Sequence, residues 1–181
     1  MSTIKLHDLH FKPFIKEEEI NSIVQSLVAQ VTIDCKGETP IFIGILNGSF
    51  MFVSDFVKLY KGACEVSFVK LASYQGTTTT EKVKQLVGLN EDLEGRTVII
   101  LEDIIDTGNT LQEIYDIFKD KKVKQLKIAT LFFKPDVFKK ELPIDYIGKS
   151  IEDKFIVGYG LDYNGLGRNY PAIYQLTTTQ Q

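Results

Sequence analysis

Four short segments of this chain are apolar almost from end to end: Ile41–Leu46, Val66–Ala72, Thr97–Leu101 and Lys127–Phe133. A strand with one wet face alternates apolar and polar residues, so runs of this kind belong to strands buried on both faces. Helical periodicity fills the intervals. Lys16–Val31 places Ile20, Ile23, Val24, Leu27, Val28 and Val31 on one face behind an acidic first turn, Glu17–Glu19. Ser49–Tyr60 carries Phe52, Val53, Phe56, Val57 and Tyr60, and Leu111–Phe118 repeats Leu111, Ile114, Tyr115 and Phe118. Strands alternating with helices imply right-handed crossovers and an α/β fold with a doubly wound, mostly parallel central sheet flanked by helices.

The remaining segments are less regular. Tyr74–Lys82, with Gly76 and four consecutive threonines, reads as an exposed loop between strands, and Pro135–Pro143 as a short connection with one helical turn. From Tyr146 onward aromatics and glycines dominate and no long helix is expected, which suggests a small hood of strands and loops over one sheet edge. The polar Thr177–Gln181 reads as a frayed tail. With 181 residues and no linker, one domain spanning 1–181 is expected: a core of about 16–135, and a hood of about 144–176 joined by the N-terminal segment.

Composition narrows the function classes. Net charge is −3, with 21 basic against 24 acidic residues, and Arg96 and Arg168 are the only arginines. That balance argues against a general binder of nucleic acid or anionic membranes. Cys35 and Cys64 have no neighbouring Cys or His, so neither a zinc site nor a disulfide framework is signalled, and a cytoplasmic location is expected. Met1–Phe14 alternates polar and apolar residues and lacks the apolar core of a signal peptide.

The chemistry concentrates in Val98-Ile-Ile-Leu-Glu-Asp-Ile-Ile-Asp-Thr-Gly-Asn-Thr-Leu111, which reads as a buried strand, an acidic loop and a helix start. In open α/β sheets ligands bind beyond the carboxyl ends of the strands. Asp106-Thr-Gly-Asn-Thr110 would present free N–H groups and a helix dipole to a phosphate, with Gly108 allowing close approach and Thr107, Asn109 and Thr110 around it. A helix cap accounts for Asp106 or Thr107 but not for adjacent Glu102 and Asp103. Two carboxylates beside a phosphate site make sense where a vicinal diol donates hydrogen bonds and a hydrated Mg²⁺ must be held. Phosphate, diol and metal together describe a phosphorylated ribose.

Val98–Leu111 resembles the phosphoribosyl-pyrophosphate signature of type I phosphoribosyltransferases, and Glu-Asp-Ile-Ile-Asp-Thr-Gly is similar to their hypoxanthine/guanine branch. The resemblance implies a purine-salvage transferase dependent on Mg²⁺, in which 5-phosphoribosyl passes from phosphoribosyl pyrophosphate to N9 of hypoxanthine or guanine, giving IMP or GMP. It assigns the ribose and 5′-phosphate to Glu102, Asp103, Thr107, Gly108, Asn109 and Thr110, and proton transfer to Asp106. Leu46-Asn47-Gly48-Ser49 would grip pyrophosphate, in the family often through a non-proline cis peptide at the position of Leu46–Asn47. Asn47 stands where many relatives have a basic residue. Ser73 and Tyr74, at the start of a loop that closes, and Arg168 would also touch pyrophosphate.

Lys134 would donate to the exocyclic oxygen of a 6-oxopurine, Phe155 would stack on the ring, and the backbone of Ile156 would read its edge. Asp162 would hold a second Mg²⁺, apart from the one that Glu102 and Asp103 support. Taken alone, Leu46–Ser49 is equally an ordinary strand–helix turn, Tyr74–Lys82 a polar hairpin loop, Lys134 a surface lysine and Phe155 a core residue. Phe155, within Asp153–Asn164, takes its weight from falling in order, at the expected distance, after Lys134. The family implies a homodimer or homotetramer. Two competing readings are a non-catalytic sensor of phosphoribosyl pyrophosphate, which would need a basic face or an added domain, and a xanthine- or pyrimidine-directed relative.

Overall fold

The computed structural model describes residues 2–72, 84–87 and 92–177. In chain order the elements are β1 (Ile4–Leu6), β2 (Leu9–Ile15), α1 (Glu17–Asp34), β3 (Ile41–Leu46), α2 (Phe50–Leu59), β4 (Glu65–Ala72), β5 (Lys84–Val87), β6 (Thr97–Ile105), α3 (Asn109–Phe118), β7 (Gln125–Phe133), β8 (Tyr146–Ser150), β9 (Ile156–Val157) and β10 (Ile173–Leu176). Ser73, Tyr74, the Tyr74–Lys82 loop and the last four residues of the expected tail fall outside the described residues.

The main sheet has the order β5-β4-β3-β6-β7-β8. Its ladders are parallel except for the antiparallel β4–β5 edge pair. Alternate side chains go to two cores. Phe42, Ile99, Leu101, Ala129 and Leu131 pack with α1 and α2, whereas Ile41, Ile43, Val98, Ile100 and Ile128 pack with Leu111, Ile114 and Phe118 of α3. Burial on both faces is the physical reason for the uninterrupted apolar runs.

A second, antiparallel sheet of order β1-β2-β10-β9 forms the hood. The polar–apolar alternation of the first residues is therefore a strand pattern: Leu6, Phe11 and Ile15 point inward and their neighbours outward.

Three expectations need correction. Glu102 and Asp103 do not lie in a loop, because β6 continues through Ile105 in register with β7, Glu102 opposite Thr130 and Ile104 opposite Phe132. Pro135–Pro143 contains a turn and no helical turn. Tyr146–Ser150, expected in the hood, is the sixth strand of the main sheet and pairs in parallel with β7. It lacks an apolar run because it is an edge strand covered mainly by α1, whose Ile23 and Leu27 close over Gly148.

Candidate active site

The carboxyl ends of β3, β6 and β7 meet at one edge of the main sheet, and the loops leaving them build the site. At the end of β6, Glu102 and Asp103 are both buried. Among the described residues Glu102 Oε2 has no hydrogen-bond partner. Asp103 Oδ1 accepts from the N–H of Ile104 at 3.0 Å. Burial, reinforced by the charge of Asp103, holds the Glu102 carboxyl well above the usual range, and burial lifts Asp103 to about 6. An unpartnered carboxylate oxygen beside a second buried carboxylate is unfavourable until a cation or a set of donors reaches it.

Beyond Ile105 the chain turns at Gly108, whose φ of 85° is the left-handed cap of α3. Asp106-Thr-Gly-Asn-Thr110 and Glu102–Ile105 line a cavity of about 260 Å³ at the amino end of this helix. No described side chain caps α3, so the first N–H groups of the helix have no side-chain partner where Asn109–Leu111 line the cavity. Phe138 and Lys140, from the connection after β7, pack on the outer side of Gly108.

The β3–α2 loop borders Asp103. The Leu46–Asn47 peptide is cis. Leu46 and Gly48 share a cavity of about 400 Å³ with Glu102, Asp103, Asn109 and Thr110, while Asn47 is exposed. A side-chain carbon on Gly48 would sit 1.7 Å from Asp103 Oδ2, and one on Gly160 would sit 1.9 Å from the carbonyl oxygen of Gly48. Only glycine at both positions lets the hood loop, the β3–α2 loop and Asp103 meet.

A third cavity, about 310 Å³, is where the remaining expected residues converge: Lys134, Phe155, Ile156, Asp162 and Arg168, with Asp106, Asp103 and Gly48. Lys134 is buried, 5% exposed. Its ammonium donates to Asp106 Oδ2 at 3.1 Å and to Asp153 Oδ1 at 3.0 Å. Phe155 is 45% exposed, so it is not a core residue. Its ring meets Tyr163 edge-to-face at 5.9 Å and leans on Phe11 at 6.1 Å, which leaves one face toward the cavity. Ile156 is held in β9 opposite Gln175.

Arg168 donates to the Gly160 carbonyl and pairs with Asp162 Oδ1, both at 2.6 Å. Asp162 Oδ2 accepts from the Gly165 N–H. Gly165 and Gly167, at φ 87° and 105°, form the tight turn that brings Arg168 back to the cavity.

Among the described residues no three or more His, Cys, Asp or Glu side chains form a metal-holding group by themselves. The buried Glu102 and Asp103 carboxyls are donors of the kind Mg²⁺ takes, one or two at a time, while it keeps water and substrate phosphate oxygens. No helix among the described residues is long and apolar enough to cross a membrane.

Residues 15–164 match the phosphoribosyl transferase domain family. The chain belongs to the phosphoribosyltransferase family. A hypoxanthine-guanine phosphoribosyltransferase of Staphylococcus aureus is 41% identical to this phosphoribosyltransferase over 160 residues, 88% of the chain and 89% of the relative. The crystal structure of a hypoxanthine-guanine phosphoribosyltransferase from Bacillus anthracis superposes with a TM-score of 0.86 at 39% identity, covering 92% of this chain and 98% of that one. A Trypanosoma cruzi hypoxanthine phosphoribosyltransferase, solved as a ternary substrates complex, reaches 0.85 at 29% identity, over 92% and 95% of the two chains.

Two contributors to the candidate site have no role in the sequence reading. Asp153 falls within Asp153–Asn164 without one, because its partner Lys134 is distant in sequence. The β1–β2 hairpin supplies Phe11 behind Phe155, and Asp8 accepts from the Tyr163 hydroxyl at 3.0 Å. The alternation of Met1–Phe14 was the available signal.

Proposed function

We propose that this phosphoribosyltransferase serves purine salvage, joining N9 of hypoxanthine or guanine to C1′ of phosphoribosyl pyrophosphate and releasing pyrophosphate. The observation that carries the reading is the Asp106–Lys134 pair, an acceptor and a donor 3.1 Å apart in one cavity. A 6-oxopurine presents the complementary pair, the proton on N7 and the neighbouring exocyclic oxygen. Adenine places an amino group where Lys134 offers an N–H, leaving two donors opposed.

In this reading Phe155 stacks on the base, and the backbone of Ile156 lies along its edge. The α3 amino end with Thr107–Thr110 takes the 5′-phosphate, and Leu46–Gly48 with Arg168 takes pyrophosphate. Asp106 accepts the N7 proton as N9 attacks C1′ and the C1′–O bond to pyrophosphate breaks, through a transition state with oxocarbenium character. Glu102 and Asp103 would support one Mg²⁺, and Asp162 would hold a second. When bound, the metal neutralises charge on the leaving pyrophosphate and steadies the ribose hydroxyls. A cytoplasmic location and a homodimer or homotetramer accompany this reading, supported by two unpaired cysteines and by Phe50 exposed on α2.

The test is an assay with phosphoribosyl pyrophosphate and Mg²⁺, offering hypoxanthine, guanine, xanthine and adenine separately. Nucleotide is expected from hypoxanthine and guanine. Product from no base rejects the reading, and product from adenine alone rejects the role of Lys134. In the same assay Asp106→Asn should lose about 10²-fold in turnover while still binding phosphoribosyl pyrophosphate. Near-normal turnover would remove Asp106 as the base.

A further inference from the structure

Lys134 has two carboxylate partners, contributed by different parts of the fold. Asp106 comes from the phosphate loop after β6. Asp153 comes from the segment between β8 and β9, two residues before Phe155. An ammonium carries three N–H donors in tetrahedral array. Two of them are directed at Asp106 and Asp153, which sets the direction of the third within the cavity that Lys134 lines.

The two acids cannot play the same part during turnover. Asp106 must turn to the purine N7 and take its proton, after which it no longer offers a negative charge. A buried ammonium left with no counter-charge is costly, and a lysine side chain with four rotatable bonds would drift from its aim. Asp153 does not face this conflict. Its side chain is 54% exposed, and from a segment outside the phosphate loop it holds the ammonium at 3.0 Å.

We propose that Asp153 is a positioning residue of the acceptor site: it keeps the Lys134 ammonium aimed at the exocyclic oxygen while Asp106 is engaged with the base. It thereby sharpens the choice of 6-oxo over 6-amino purines. Because Asp153 and Phe155 share one short segment, the same tether sets the lysine against the stacking ring. The inference rests on Lys134 being the donor to the base.

Steady-state kinetics on the full chain test it, using the wild type, Asp153→Asn, Asp153→Glu, Lys134→Ala and the Lys134→Ala/Asp153→Asn double variant. Asp153→Asn keeps shape and removes charge. A charge-assisted bond to a half-exposed carboxylate predicts a rise of roughly three- to tenfold in KM for hypoxanthine. The KM for phosphoribosyl pyrophosphate should stay the same, and the hypoxanthine-over-adenine ratio of kcat/KM should fall by a similar factor. Asp153→Glu should recover part of the loss, and Asp153→Asn should cost nothing more in the Lys134→Ala background.

The proposal is overturned if Asp153→Asn changes KM for hypoxanthine by less than about twofold, or adds its full factor to Lys134→Ala. An equal rise in both substrates' KM would mark a merely structural role and would overturn it too. If Lys134→Ala itself leaves hypoxanthine KM and base preference unchanged, the Lys134 reading fails and takes this inference with it. A loss in Lys134→Ala without one in Asp153→Asn removes only the inference.

Discussion

Glu102 and Asp103 carry the strongest local conflict in the molecule. Both carboxyls are buried, and one oxygen of Glu102 has no partner among the described residues. Burial raises the folded-state value of Asp103 to about 6, against 3.8 for the free side chain, and holds Glu102 well above its own reference. The folded chain therefore keeps protons that the unfolded chain has already released. Without metal or substrate, stability should fall as pH rises from about 4 through 6. Glu102→Gln removes one of the two buried charges, so its melting temperature should exceed that of the wild type near pH 7, with the gap closing toward pH about 4. Mg²⁺ with phosphoribosyl pyrophosphate should stabilise the wild type more than the variant, which keeps the α3 amino end, Leu46–Gly48 and Arg168. Differential scanning calorimetry across this pH range, with and without the ligands, reads both outcomes. A variant less stable than the wild type at neutral pH would show that the carboxylates are compensated in the free protein.

At the scale of elements, legibility followed side-chain pattern closely and backbone pairing poorly. Strand β3 was delimited as Ile41–Leu46 because both of its faces are apolar, and those are its bounds. Strand β6 was cut at Leu101, where polarity begins, yet a ladder depends on backbone groups, and β7 continues alongside it to Phe133. That extension matters for the site, since a strand holds Glu102 and Asp103 more rigidly than a loop does. Helix α3 begins at Asn109, two residues before its first inward-facing side chain, because Gly108 rather than the apolar pattern starts it. The Tyr146–Ser150 edge strand has neither an apolar run nor clean alternation, so its place in the main sheet had no local signal. The short hood strands β9 and β10 were legible only as an aromatic, glycine-rich composition.

For the molecule as a whole, the question is how the hood is held over the sheet edge. Tyr159, fully enclosed in the hood loop, donates to Asp55 Oδ2 of α2 at 2.7 Å, and Gly160 packs on Gly48. Burial, with the Asp55 bond second, pushes the Tyr159 hydroxyl far above its ordinary value, so it remains a donor at any pH the protein meets. Tyr159→Phe should lower unfolding free energy by about 1 kcal/mol in urea titration, because Asp55 keeps its pairing with Lys58. It should also raise KM for phosphoribosyl pyrophosphate, since Arg168 is anchored on the Gly160 carbonyl. An unchanged KM would mean that the Tyr159 bond does not set the position of Arg168.

The amino-acid sequence by itself determined the parallel sheet, through runs that only a doubly covered strand can bury. It also determined the ribose-phosphate chemistry, through one contiguous string whose residue types have no cheaper explanation. Tertiary structure alone decided which distant groups meet: Lys134 between Asp106 and Asp153, Phe155 against Phe11 and Tyr163, and Gly160 on Gly48. The reason is physical. Local pattern reports how each segment faces water and apolar neighbours, whereas the acceptor site is made where chain ends and loops from the main sheet and the hood converge, and no periodicity within any one of them encodes its partner.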